Sequence, residues 1–310
     1  MTDDTETVMI AVDWGTTQLR GFRLNLAGNV IEQRCAPRGI LSVAEGRFAD
    51  TLTEVLGDWL TAFPDSEVYL SGMIGSRQGW QEAPYVACPA SFDDLAQHLV
   101  AVDIDGEGRQ GWIAPGLMTR NSDGDPDVMR GEEIQILGLG ADIQQQPGAL
   151  TVCLPGTHSK WVSVSQDQVT GFATYMTGEV YASLRDHTIL GRLIDADGEM
   201  TEAFEAGVAR ADAAGDLLHQ LFTVRAKGLF GDLDAVDSGA FLSGLLIGAE
   251  ISAAVQKGIT QPVVLVGAGP LVALYERAFR QRGIRRQKAD DLAAAHGLFK
   301  LAQEHQNASA

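Results

Sequence analysis

The chain opens with short apolar runs separated by polar turns. Val8 to Val12 is apolar and closes on Asp13, Leu19 to Leu24 alternates apolar and polar side chains, and Ala27-Gly28-Asn29 turns into Val30-Ile31. A period of two puts successive side chains on opposite faces, so this stretch predicts a meander of three antiparallel strands. From Phe48 to Leu60 the period becomes helical, with Leu52, Val55, Leu56 and Trp59 on one face, and Val68 to Leu70 reads as a strand.

The opening pattern returns in the middle of the chain. Leu150 to Leu154 is again a short apolar strand, followed by Pro155-Gly156-Thr157-His158 and the strand-like Lys160 to Val164. Both places read as strand, Gly-Thr turn and returning strand, a weak internal duplication of architecture. Towards the C-terminus, Phe241 to Val255 predicts an apolar helix, Val263 to Val266 a buried strand, and Leu271 to Gln281 a helix entered through Gly267-Ala268-Gly269-Pro270. Asp290 to Leu301 has helical periodicity before a polar end expected to fray. A chain of 310 residues exceeds the size usual for one core. The expected division is an N-terminal lobe over 1–130, a C-terminal lobe over 131–289, and a terminal segment over 290–310 returning to the first lobe.

Hydrophobic residues make up 45% and charged residues 21%, values of an ordinary globular protein. The net charge of −18 argues against nucleic acid or an anionic membrane as partner. An anionic small substrate would have to be held by local cations, helix N-termini or a metal. Cys35, Cys88 and Cys153 lack the spacing of a zinc or redox motif and read as reduced thiols. The acidic N-terminus and the lack of a long apolar run point to the cytoplasm.

Four segments carry candidate chemistry. In Asp13-Trp14-Gly15-Thr16-Thr17, a glycine free to take positive φ and two hydroxyls can gather donors around a phosphate, with Asp13 holding a hydrated Mg²⁺. The alternative is a plain hairpin whose turn Asp13 caps. In Pro155-Gly156-Thr157-His158-Ser159-Lys160, Gly156, Thr157, His158 and Lys160 offer a second set of phosphate contacts, or another turn. Gly267 and Gly269 leave backbone bare for a base or ribose, or serve only helix packing. A dinucleotide fingerprint is disfavoured, because Val272 stands where its third glycine belongs. In Arg130-Gly131-Glu132-Glu133 the acids by themselves read as helix N-terminal residues, but the segment's position just ahead of the second phosphate loop argues otherwise.

In this order the segments resemble the hexokinase, actin and Hsp70 superfamily of ATP-binding folds. That resemblance implies an α/β protein of two ribonuclease H-like lobes with an interlobe cleft, the actin-like ATPase fold, with ATP and Mg²⁺ bound. In its carbohydrate kinases similar to glycerol kinase and xylulokinase, a Gly-Asp-Gln segment ahead of the second phosphate loop supplies the base. Gly131-Glu132-Glu133 stands in that place, so the resemblance makes Glu132 the base, with Glu133 as the alternative.

More specifically, the chain resembles the 2-dehydro-3-deoxygalactonokinase family in residues 11–20, 71–80, 128–133, 154–162 and 241–250. The family implies transfer of the ATP γ-phosphate to the C6 hydroxyl of 2-dehydro-3-deoxy-D-galactonate in galactonate breakdown. Arg20, Arg77 and Arg130 lie in the matching segments as candidates for the substrate carboxylate, each also readable as an ion pair. Trp80 is placed to stack on the substrate or to fill a core. The rival functions on this fold are a phosphatase and an ATP-dependent assembly protein. Pairing of two copies through the lobe edges is left open.

Overall fold

The computed structural model describes residues 7–44, 46–106, 108–140, 148–195, 202–212 and 216–309. The chain divides into two compact units, Met1–Gly148 with Val164–Phe172 and Ala289–Ala310, and Ala149–Ser163 with Ala173–Lys288.

The first unit is built from β1 (Met9–Trp14), β2 (Leu19–Leu24), β3 (Val30–Ala36), α1 (Phe48–Ala62), β4 (Glu67–Ser71), β5 (Tyr85–Ala87), α2 (Phe92–Ala96), β6 (Val100–Asp103), β7 (Gln110–Ile113), β8 (Gly116–Arg120), β9 (Pro126–Met129) and α3 (Glu132–Gly138). Its main sheet has the order β3-β2-β1-β4-β7-β6, with β5-β8-β9 forming a separate sheet. β1 pairs antiparallel with β2 and parallel with β4. β1 is buried along its whole length, as a central strand should be, and α1 lays Leu52, Leu56 and Trp59 onto the sheet core with Trp14 and Leu70.

The second unit contains β10 (Leu150–Leu154), β11 (Ser159–Ser165) and β12 (Gln168–Tyr175) apart from their Val164–Phe172 portion, which counts with the first unit, and α4 (Thr177–His187), α5 (Ala203–Arg210), α6 (Leu217–Phe230), α7 (Ala235–Lys257), β13 (Val263–Leu265), α8 (Pro270–Gln281) and β14 (Arg286–Lys288). Its sheet order is β12-β11-β10-β13-β14. The first five strands of the other sheet follow the same path, so the duplication read from two Gly-Thr turns is a duplication of topology. α7 is apolar on nearly all sides because it is a core helix. Its length and composition would also suit a bilayer, but most of it is buried within the unit. Gly244 lets α5 approach, since a β-carbon there would meet Phe204 O at 2.0 Å.

Three boundaries differ from expectation. α3 stays with the first unit instead of opening the second, because it packs on the C-terminal helix α9 (Ala293–Ser309), and Val164–Phe172, expected in the second lobe, also belongs to the first unit. A β-carbon on Gly138 would lie 1.8 Å from Ala293 O, and one on Gly297 2.0 Å from Ile134 O, so only glycine permits this crossing. α9 also runs to Ser309 where fraying was expected. Its end is tied down by His305 Nδ1 at 2.9 Å from Tyr69 OH and by Gln306 Nε2 donating to Glu67 Oε2 at 2.5 Å.

Candidate active site

The carboxyl ends of β1 and β4 lie side by side, with Asp13 opposite Ser71. Parallel strands in open α/β sheets place ligands at these ends, where the chain leaves the sheet and backbone donors become free. Beyond β1 the turn is closed by Gly15 N–H donating to Gln18 O at 2.9 Å, and Thr16 and Thr17 are exposed. Gly15 does not use positive φ, contrary to expectation, and a β-carbon there would make only ordinary contact at 3.6 Å. What glycine supplies here is bare backbone.

A second segment braces this turn. Ile40 N–H donates to Gly15 O at 3.0 Å, Trp14 Nε1 donates to Arg38 O at 2.7 Å, and a β-carbon on Gly39 would stand 2.2 Å from Thr17 N. Gly39 was not singled out from the sequence, where it follows Pro37-Arg38 as one more loop glycine.

Asp13 is buried, and the antiparallel register sets Arg20 directly across from it. Arg20 donates to Asp13 Oδ2 through Nε at 3.1 Å and through Nη2. The guanidinium expected on the substrate is thus committed to the acid expected on the metal.

Gly72, at φ +94°, presses on the other side of Asp13. A β-carbon there would lie 2.8 Å from Trp14 O and 3.2 Å from Asp13 Oδ1. On its far side Gly131, at φ +105°, approaches so closely that a β-carbon would stand 3.0 Å from Gly72 Cα. Two positive-φ glycines in contact therefore bring the turn that carries Glu132 against the strand end that carries Asp13. The acids of that turn differ. Glu133 is fully buried and takes the Gly131 N–H on both carboxylate oxygens, at 2.8 and 2.7 Å. Burial, reinforced by the charge of Glu132, pushes its pKa up to about 8. Glu132 is partly exposed, with Oε2 accepting from Arg130 N at 3.1 Å.

The other expected substrate residues separate by burial. Arg130 is buried, donates to Ala83 O at 2.7 Å and lies 4.3 Å from the Tyr85 ring centre, bracing that wall. Arg77 is exposed and pairs with Glu82 at 2.9 Å. Trp80 is half-buried and stacks on Phe48, with ring centres 6.4 Å apart.

In the second unit the same strand-end arrangement recurs. Val266 N–H donates to Cys153 O at 2.9 Å, so the Gly156 loop and the Gly267 loop start side by side at the ends of β10 and β13. Thr157 and His158 are exposed, and His158 Nε2 lies 2.5 Å from Glu179 Oε2. Lys160 departs from expectation: its side chain is buried and its ammonium donates to His158 O at 3.1 Å, supporting the loop from beneath. Gly267 (φ +113°) and Gly269 (φ +82°) both need the left-handed region, and Pro270 opens α8. A mostly apolar cavity of about 120 Å³ lies within this unit between Gly156, Leu246, Ile247, Leu271, Leu274 and Tyr275.

The sequence pattern of a family described as 2-keto-3-deoxy-galactonokinase matches residues 13–301. A probable 2-dehydro-3-deoxygalactonokinase of Rhizobium meliloti (strain 1021) is 38% identical over 300 residues, covering 94% of this chain and 96% of the relative. The 2-dehydro-3-deoxygalactonokinase of Escherichia coli (strain K12) is 37% identical over 275 residues, covering 88% and 90%. A crystal structure described as that of a "putative 2-dehydro-3-deoxygalactonokinase protein" from Sinorhizobium meliloti superposes with a TM-score of 0.82 at 37% identity, covering 95% of this chain and 96% of that one. Component A of (R)-2-hydroxyglutaryl-CoA dehydratase from Acidaminococcus fermentans, at 14% identity and a TM-score of 0.54 over 97% and 99%, shares the fold alone.

Proposed function

The chain belongs to the 2-keto-3-deoxy-galactonokinase family, and we propose that it moves the ATP γ-phosphate onto the C6 hydroxyl of 2-dehydro-3-deoxy-D-galactonate with Glu132 as base. It is an ATP-dependent carbohydrate kinase with two ribonuclease H-like lobes of the actin-like ATPase class. The observation that carries the residue assignment is the contact of Gly131 with Gly72, which sets the Glu132 turn beside Asp13 in one unit.

In this reading the C6 oxygen attacks the γ-phosphorus while its proton passes to the Glu132 carboxylate. The bond between the γ-phosphorus and the β,γ-bridging oxygen breaks, and ADP leaves with that oxygen. Glu132 fits the role better than Glu133, whose two oxygens are already occupied and whose burial favours the protonated form. The exposed hydroxyls of Thr16 and Thr17 at the Gly15 turn, and Thr157 with His158 at the Gly156 loop, are the phosphate contacts of this reading, each set lying within its own unit. Lys160 acts by shaping the second loop. The slot beside Gly156 is lined by aliphatic side chains on α7 and α8 and suits a flat base, with Gly267 and Gly269 leaving room for the ribose.

Asp13 fits Mg²⁺ as a lone carboxylate whose Oδ2 is shared with Arg20, since Mg²⁺ keeps several waters and binds through one or two carboxylates plus phosphates. Among the described residues no group of three or more His, Cys, Asp or Glu gathers into a protein-only metal cage. When bound, the ion neutralises charge on the β- and γ-oxygens.

For the acid end of the substrate, Arg77 is the preferred partner. An exposed ion pair such as Arg77–Glu82 contributes little and opens readily. Arg20 is committed to Asp13, Arg130 is buried with Nη2 on the Ala83 carbonyl while its Nε and Nη1 have no hydrogen-bond partner among the described residues, which keeps it as the second candidate, and Trp80 closes the wall against Phe48. A cytoplasmic location and a homodimer complete the reading, the latter readable by sedimentation. The test is ADP formation against a panel of 2-dehydro-3-deoxy acids and neutral sugars. Turnover should require an acid acceptor and be fastest with the galactonate-derived one. Equal ADP release without any acceptor would make the protein a hydrolase.

A further inference from the structure

Beneath the Gly156 loop lies a buried carboxylate that the transfer step does not use. Glu250, on α7, is 3% exposed. Trp161 Nε1 donates to its Oε1 at 2.8 Å and Tyr275 OH donates to its Oε2 at 2.7 Å, while Thr177 also hydrogen-bonds it. Burial pushes its pKa up, against the pull of these donors. Isolating a carboxylate from water is costly, and an apolar side chain of similar volume would usually serve a core at least as well. Stability alone is therefore a poor account of Glu250.

Its partners share one location. Ser159 Oγ lies 2.8 Å from Tyr275 OH and 3.4 Å from Gly156 N. With Tyr275 giving its proton to Glu250, Ser159 gives its own to Tyr275 and keeps a lone pair for the Gly156 N–H. Three of the residues so connected, Gly156, Thr177 and Tyr275, line the cavity beside the loop. They come from three separate elements: the β10–β11 turn, the first residue of α4, and α8.

We propose that Glu250 is a positioning residue for the nucleotide: through Tyr275 and Ser159 it fixes the Gly156 loop against α8, so that phosphate and base contacts are held at one spacing. The inference rests on ATP binding at this loop. Preorganised donors cost no reordering when the ligand arrives, so loosening the chain should raise the KM for ATP and spare the sugar acid, whose expected ligands lie in the other unit.

The test uses three purified variants of the full chain. Tyr275→Phe removes one oxygen and keeps the ring packed on Phe279. It should raise the KM for ATP about tenfold, the effect of losing one good hydrogen bond, with the KM for the sugar acid nearly unchanged and the melting temperature somewhat lowered, because buried Glu250 loses a donor. Glu250→Leu should do at least as much, and Glu250→Gln, which keeps one acceptor, should fall between it and the parent. Unchanged ATP KM in folded Tyr275→Phe and Glu250→Leu overturns the proposal, as does an equal rise in both KM values. Gly178→Ala separates the two levels of the account, because its β-carbon would lie 2.6 Å from Gly156 O and displace the loop directly. If Gly178→Ala raises the ATP KM and Tyr275→Phe does not, the Glu250 proposal alone fails. If Gly178→Ala has no effect on ATP either, the loop is not the nucleotide site and both fail.

Discussion

Gly131 N–H donates to both carboxylate oxygens of Glu133, and this buried bond sets the two adjacent acids apart. Glu133 holds the start of α3, and Glu132 is left as the partly exposed acid beside Asp13.

A pH dependence follows for Glu133. Its pKa is raised from 4.5 to about 8 by burial, so between these values the unfolded chain releases a proton that the folded chain keeps. Folding then becomes less favourable as pH rises, by up to about 1.4 kcal/mol per pH unit from this group, and the loss ends above the folded pKa. Glu133→Gln is neutral throughout and its amide oxygen still accepts from Gly131. Urea midpoints between pH 5 and 8 should fall more steeply for the parent than for Glu133→Gln; parallel curves would contradict this.

Gly72→Ala tests the contact that assembles the site. The substitution meets backbone at 2.8 Å and holds a β-carbon at φ +94°, whereas Gly106→Ala, at φ +74°, has nothing within 4 Å. Both should lose about 1 kcal/mol or more to backbone strain. Only Gly72→Ala should also lower kcat by tenfold or more, by shifting Asp13 away from Glu132. Equal kcat in the two folded variants would show that the approach is structural.

Arg77 and Arg20 separate on the substrate. Arg77→Ala should raise the KM for the sugar acid at least about tenfold, the loss of one charge-assisted hydrogen bond, without moving the melting temperature. Arg20→Gln frees Asp13 Oδ2, so the magnesium concentration needed for half-maximal rate should fall while the sugar-acid KM changes little. A large sugar-acid KM effect from Arg20→Gln with none from Arg77→Ala would reverse the assignment.

Much of the architecture was legible because it depends on local pattern. The mostly apolar, fully buried runs of β1, β10 and β13 mark central strands, and two Gly-Thr turns mark equivalent places in two sheets of one strand order. The sheet β5-β8-β9 escaped notice because its strands have three to five residues and mixed burial, too short for a period to show. At the site, Asp13 and the turns announce themselves, and the Asp13–Arg20 pair follows from hairpin register. The meeting of Gly72 with Gly131, and of Glu250 with Trp161, joins residues far apart in the chain. No local pattern encodes such contacts, so they emerge only from the folded chain.

The central claim is that Glu132 takes the proton during transfer. Glu132→Gln keeps size and hydrogen bonding but removes the base, so single-turnover rate and ATP binding should be measured together on this variant. A fall of about a hundredfold or more in rate, with ATP affinity within a few-fold of the parent, is the predicted result. Transfer at the parental rate by Glu132→Gln would remove Glu132 from the reaction.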